Sequence, residues 1–348
     1  MATEVKLSVI VPVYNGEAYI DRAMESILGQ TEAALEVVAV NDGSKDKSLE
    51  KLRGWEVKDS RVRVIDKENE GVSIARNVAM EAARGTYLTF LDVDDYLESD
   101  AYSRVIAVLE DTKAQACLCS FFDENEKQKI PVLLPWDTGT LLEKKDIWDQ
   151  LIPWMIKVYP EDGIEGNIFG SVWRLFLRKD VWEQTQVTFD AGLKIAEDFD
   201  FCIHLFSKLQ TIGIVKEPLY HYIRWEQTTL SVYRKNHFKE GMENQRRLKA
   251  FLIENGRYEQ LKKRFLGSYI DVCIGSMVNF VRPGAPSFVQ CTRELKEVVD
   301  EIARDGIYEE ISLVPLTKNQ KLVLDLIKKK RVCSILFFTK LRQIKKRK

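Results

Sequence analysis

The sequence Asp92-Val93-Asp94-Asp95 places three carboxylates within four residues. It follows an apolar run, Tyr87-Leu88-Thr89-Phe90-Leu91, that predicts a buried strand. A strand interior does not tolerate three acids, so they belong at its carboxyl end. Acids this close disfavour one another's ionised form, and a cation among them relieves the repulsion. Oxygen ligands of this kind suit Mg²⁺ or Mn²⁺, which commonly share their coordination shell with substrate phosphates. The plainer alternative is a solvated acidic turn that caps the following helix.

Three further clusters carry possible chemistry. Pro12-Val13-Tyr14-Asn15 closes the first apolar run, and Tyr14 at its tip either stacks on a base or closes the core. Asn41-Asp42-Gly43-Ser44 closes the second. There Asp42, an acceptor-only group, matches the imide N–H of uracil; the alternative is an Asx turn with Ser44 as helix cap. Asn69-Glu70-Gly71 opens a helix carrying Arg76 and Asn77. Arg76 either reaches a phosphate, braces Asp92, or forms a surface ion pair.

The elements that must position these residues alternate. Strands are predicted at 6–13, 35–40, 62–65 and 87–91, and helices at 17–29, 45–52 and 72–83. That rhythm predicts a doubly wound, mostly parallel α/β sheet. Ligands of such sheets lie at the carboxyl ends of the strands, where these clusters fall. Further on, helices are expected at 101–112 and 197–208 and strands at 115–122 and 211–222. Beyond about residue 237 the pattern is helical, with one helix expected over 318–345.

The order and spacing of Leu7–Asn15, Asn41–Ser44, Asn69-Glu70-Gly71 with Ala75-Arg76-Asn77, and Asp92–Asp95 resemble family-2 glycosyltransferases of the bacterial polysaccharide or glycoconjugate type. The likeness is strongest over residues 5–115 and continues more weakly to about 235. It implies a GT-A fold that binds a UDP-sugar with Mn²⁺ or Mg²⁺. Pro12, Tyr14, Asn15 and Asp42 would hold the base. Asp92, with Val93 beside it, would lie near the ribose and the metal, and Asp94 would ligate the metal. Arg76 would join this nucleotide-sugar site. Glu197-Asp198 resembles the family's acidic pair, with Asp198 as general base and Glu197 orienting it or the acceptor; both also suit a plain helix N-terminus. Asp200 is the rival base. Arg224 and Ser231 fit pyrophosphate ligands on a closing loop, whereas Glu226 stands where relatives often have His. His221 reads as a partly buried strand residue. Together these imply an inverting transfer to an acceptor hydroxyl on a glycan or a lipid-linked chain, with Trp173 and residues 131–167 on the acceptor side. Two rivals remain. A sugar-nucleotide nucleotidyltransferase usually has a Gly-rich basic first loop, which Val11–Gly16 lacks. A non-catalytic UDP-sugar or glycan binder is disfavoured by intact Asp92, Asp94 and Asp198.

The 348 residues divide, on this reading, into a GT-A catalytic domain over 1–235, with a nucleotide-binding half (1–115) and an acceptor half (116–235). A helical region (236–327) and a basic tail (328–348) follow. With 45% apolar and 30% charged residues, the composition is that of a soluble globular protein. Six scattered cysteines disfavour a zinc site and suit a reduced, cytoplasmic setting. The first 25 residues contain no expected signal peptide. The tail holds ten Lys/Arg and no acid; setting these aside from the total of −1 leaves −11 on residues 1–327. Its apolar core, Val332–Phe338 with Leu341 and Ile344, resembles an interfacial helix and predicts peripheral attachment to the inner face of an anionic membrane. The alternative is a helix packed on the body. An acidic body with only a basic tail disfavours nucleic acid as a partner.

Overall fold

The computed structural model describes residues 5–32, 34–164, 168, 170–225, 232–304 and 310–346. The chain forms two compact units, 1–224 and 225–348. The first unit is built on strands β1 (Leu7–Val13), β2 (Leu35–Asp42), β3 (Val62–Lys67), β4 (Tyr87–Phe90) and β5 (Tyr96–Leu97). It continues with β6 (Ala116–Asn125), β7 (Gln128–Val132), β8 (Leu141–Glu143), β9 (Leu175–Arg178) and β10 (Thr211–Ile223). The sheet order is β3-β2-β1-β4-β9-β6-β10-β5, with β7 on β6 and β8 on β10. β1, β2, β3, β4, β6 and β10 run one way; β5, β7, β8 and β9 run against them. The sheet is thus mostly parallel, as expected, with antiparallel β9 inserted at its centre.

β1, β2 and β4 are buried on nearly every residue because helices cover both faces of a parallel sheet. The helices of this unit are α1 (Ile20–Leu28), α2 (Ser48–Lys58), α3 (Val72–Ala82), α4 (Ala101–Thr112), α5 (Lys144–Asp146), α6 (Ile152–Ile156), α7 (Lys179–Thr185) and α8 (Glu197–Lys208). α1 shows the logic: Ile20, Ala23, Met24 and Ile27, spaced three and four apart, are its buried face. α2 runs six residues beyond the expected end, because Trp55 still reaches the core. β10 is one strand whose register shifts around Pro218, which has no N–H to give a ladder.

The second unit is helical: α9 (His237–Glu254), α10 (Tyr258–Asn279), α11 (Phe288–Arg304), α12 (Lys318–Lys328) and α13 (Val332–Lys346). α9 packs on α10, and α13 packs on α10, α11 and α12. The single helix expected over 318–345 is two helices. Lys330, at φ +53°, turns the chain between them. Among the described residues, no helix is long and apolar enough to cross a membrane.

Candidate active site

The carboxyl ends of β1, β2 and β4 bring the sequence clusters together. The loops after β1 and β2 are tied residue to residue. Asn15 sits at φ +50°, a region Asn tolerates. Its N–H donates to Ser44 Oγ (3.0 Å), and its side-chain oxygen accepts from the Lys45 N–H (2.8 Å). Gly16 N–H donates to Ser48 Oγ (2.8 Å), and Glu17 N–H to Asp46 Oδ2 (3.1 Å). Ser44 is therefore a loop-to-loop bridge; α2 starts four residues later, so the expected helix cap does not form. Tyr14 is 52% exposed, which removes the core-closing alternative. Pro12 is half-buried behind it. Val93 packs over Gly16: a Cβ there would stand 2.9 Å from Val93 Cγ1.

Asp42 is buried and accepts from Lys67 Nζ (2.8 Å), Glu70 N–H (3.0 Å) and Gly71 N–H (2.8 Å). Burial pushes its carboxyl up, but these donors outweigh it and hold the group below its ordinary range. A carboxylate has about four acceptor positions, so three donors leave room for one more. Gly43, at φ +67°, lets the chain pass Asn69; a Cβ there would lie 2.6 Å from the Asn69 nitrogen.

Arg76 is the hub. Its side chain is 3% exposed, which overturns the surface ion pair. Nη2 donates to Asp92 Oδ1 (2.9 Å), while Nη1 reaches Asp198 Oδ1 (2.5 Å) and Glu197 Oε1 (3.3 Å). Burial alone would lower the Arg76 pKa; Asp198, Asp92 and Glu197 together raise it, so the guanidinium stays charged. The guanidinium also lies over the Phe189 ring at 5.2 Å, and Phe189 stacks on Phe201 of α8 at 4.1 Å. Asn77 clamps this wall by exchanging hydrogen bonds with the Phe189 backbone at 2.8 and 2.9 Å.

Asp198 opens α8, and its Oδ2 accepts from the Val172 N–H at 3.4 Å. Burial pushes its carboxyl up; Arg76 pulls it down, and Asp92 and Glu197 push it up again, to about 7. Ala196, just before, sits at φ +58°. That strain, roughly 1–3 kcal/mol, fixes the direction in which the acidic pair enters the helix. Asp200, the rival base, lies near His204 (3.7 Å).

The strand-end acids do not act as one group. Asp95 is 1% exposed and accepts from Tyr220 Oη (2.7 Å) and Ile223 N–H (2.8 Å). Burial, then Asp92 and Asp94, push its carboxyl well up. It ties β4 to β10, a role hidden in the sequence because its partners lie about 125 residues away. Arg22 donates to the Asp94 carbonyl and lies over the Tyr96 ring. Asp92, held on Arg76, and Asp94 are half-buried at the same strand end. Among the described residues no three His, Cys, Asp or Glu side chains gather into a metal cage. An ion that arrives with a diphosphate needs only one or two protein carboxylates, and the pair fits that demand.

Other expected positions are rearranged. Trp173 is 6% exposed, stacked on Tyr220 at 4.5 Å and Tyr222 at 5.7 Å. It is core behind the site, not an acceptor surface. His221 is buried, bonded to Glu124 (2.8 Å) and Glu98 (3.1 Å). Arg224 pairs with Asp123 at 2.5 Å. Ser231 and Glu226 lie outside the described residues.

This sheet, with its acids gathered at the strand ends, defines a GT-A fold. The chain matches the Glycosyl transferase family 2 model over residues 8–183, half its length, and it belongs to that family and is a glycosyltransferase. It is 32% identical over 216 residues to the uncharacterized glycosyltransferase EpsJ of Bacillus subtilis (strain 168), covering 62% of this chain and 60% of that one. It is 30% identical over 275 residues to the putative glycosyltransferase EpsH of the same organism, covering 77% and 76%. The fold is similar to that of residues 1–349 of S. aureus TarS in complex with UDP-GlcNAc, with TM-score 0.67, 19% identity, and 97% and 92% covered.

Proposed function

We propose that this chain moves a sugar from a UDP-sugar to an acceptor hydroxyl with inversion at the anomeric carbon. The observation that carries the reading is Arg76 joining Asp92 to Glu197 and Asp198, beside the loops of Tyr14 and Asp42. The UDP-GlcNAc held by the structural neighbour supports the donor class. Tyr14 and Asp42 face the base: the ring stacks, and the carboxylate accepts the uracil imide proton. Asp92 and Asp94 would hold Mg²⁺ or Mn²⁺, which neutralises charge on the leaving diphosphate. Arg224 and Ser231 would close on the diphosphate.

Asp198 takes the proton of the attacking hydroxyl. A carboxyl pushed up to about 7 suits this work, because a large share is ionised near neutral pH and that share is strongly basic. Arg76 keeps it ionised, and Glu197, on the same guanidinium, orients it. As the acceptor oxygen bonds to the anomeric carbon, the bond to the diphosphate breaks on the opposite face. The acceptor is a glycan, free or lipid-linked.

A UDP-release assay over UDP- and GDP-sugars, with Mn²⁺, Mg²⁺ or EDTA, tests the reading. Release should require a UDP-sugar and stop with EDTA. Full activity in EDTA would remove the metal, and preference for a GDP-sugar would remove the donor assignment.

A further inference from the structure

We infer that the second unit docks on an anionic lipid bilayer through the outer face of α13. Charge is divided between the units. Residues 1–224 hold 26 Lys/Arg against 39 Asp/Glu, a net −13; residues 225–348 hold 26 against 14, a net +12. Ten of those twelve net charges lie in residues 328–348; residues 225–327 hold 16 Lys/Arg against 14 Asp/Glu, a net +2.

The apolar residues of α13 are split between two faces. Ile335 and Leu336 are buried, as is Thr339, against the neighbouring helices. Leu336 therefore cannot insert into lipid, contrary to the sequence expectation. On the other side Phe337 is 67% exposed and Leu341 44% exposed. Cys333, Ser334 and Lys340 are exposed on the same stripe, three and four residues apart. A helix of a water-facing bundle needs one apolar stripe. This helix has used one and presents a second edge, bordered by Arg331, Lys340 and Arg342. Lys329 and Lys330, paired with Asp325 (2.8 Å) and Asp300 (2.6 Å), pin the corner that presents it.

Basic residues beside exposed aromatic and aliphatic groups match an interface of anionic headgroups over hydrocarbon. A soluble polyanion would use the charges but leave Phe337 and Leu341 in water. The acidic first unit is repelled by the same surface. The inference adds a location to the transfer reading, on which its biological use rests; lipid binding itself is independent of turnover.

Full-length protein is sedimented with phosphatidylcholine vesicles, with and without phosphatidylglycerol, and with soluble polyphosphate as competitor. Binding should need phosphatidylglycerol and be released by salt. Phe337→Ser with Leu341→Ser should lower partitioning about tenfold or more. Lys340→Gln and Arg342→Gln should each cost about fivefold. UDP affinity, measured by calorimetry, should stay at the wild-type value in every variant, which separates failure of docking from failure of the donor site. Full-length protein that ignores phosphatidylglycerol overturns the inference. So does a serine pair that binds like wild type while polyphosphate displaces it, since that marks a polyanion site.

Discussion

Arg76 holds together three acids from two distant stretches of the first unit. Arg76→Met should leave them without their counter-charge and cost about 3–5 kcal/mol, read from urea unfolding. Arg76→Lys keeps the charge but loses the fork that reaches Asp92 and Asp198 together; it should retain more stability than Met and still lose most turnover. A methionine variant as stable as wild type would deny the hub. The pH profile follows from Asp198. Its carboxyl is raised, so the ionised base is present above about 7 and is lost as pH falls through it. Below that, kcat/KM should drop about tenfold per pH unit. A flat profile from pH 8 to pH 5, at roughly constant fold, would place the base elsewhere. The placement of Asp92 and Asp94 at a strand end and of Asp198 at a helix start could be read from sequence, because their motifs repeat a familiar pattern. Arg76 bracing Asp92 was among the expected readings and is found; its reach to Glu197 and Asp198 was not legible, since it depends on α3 and α8 meeting across 122 positions.

At the scale of elements, strand ends supply the site and long-range hydrogen bonds set their aim. Tyr220→Phe removes only the hydroxyl that donates to Asp95 and accepts from the Asp92 N–H. It should destabilise the fold by about 1–3 kcal/mol, because a buried carboxylate loses a donor. It should also weaken metal-dependent UDP binding in calorimetry. Unchanged stability and affinity would separate β10 from the site. Asp42→Ala should narrow the preference for UDP over CDP, since cytosine has no imide N–H to give. Equal UDP and CDP affinity in the wild type would remove Asp42 from base recognition. Most strands and helices of the first unit were legible because their apolar spacing is regular. Antiparallel β9 in mid-sheet was not, since Leu175–Arg178 reads the same in either direction. Trp173 misled for a related reason: composition does not say which aromatic stacks inward.

At the scale of the molecule, an acidic α/β unit is followed by a basic helical one. The tail was legible as basic and partly apolar. Its division into a seated face and an outer face was not, because that depends on which residues α10, α11 and α12 cover. The central claim is that Asp198 is the base, and the most direct test is Asp198→Asn. The variant is nearly isosteric, keeps an oxygen toward Arg76 and cannot take a proton. UDP-sugar binding by calorimetry should stay within a few-fold of wild type, while turnover falls about 10²-fold or more. Turnover within a few-fold of wild type, with donor binding intact, would contradict it.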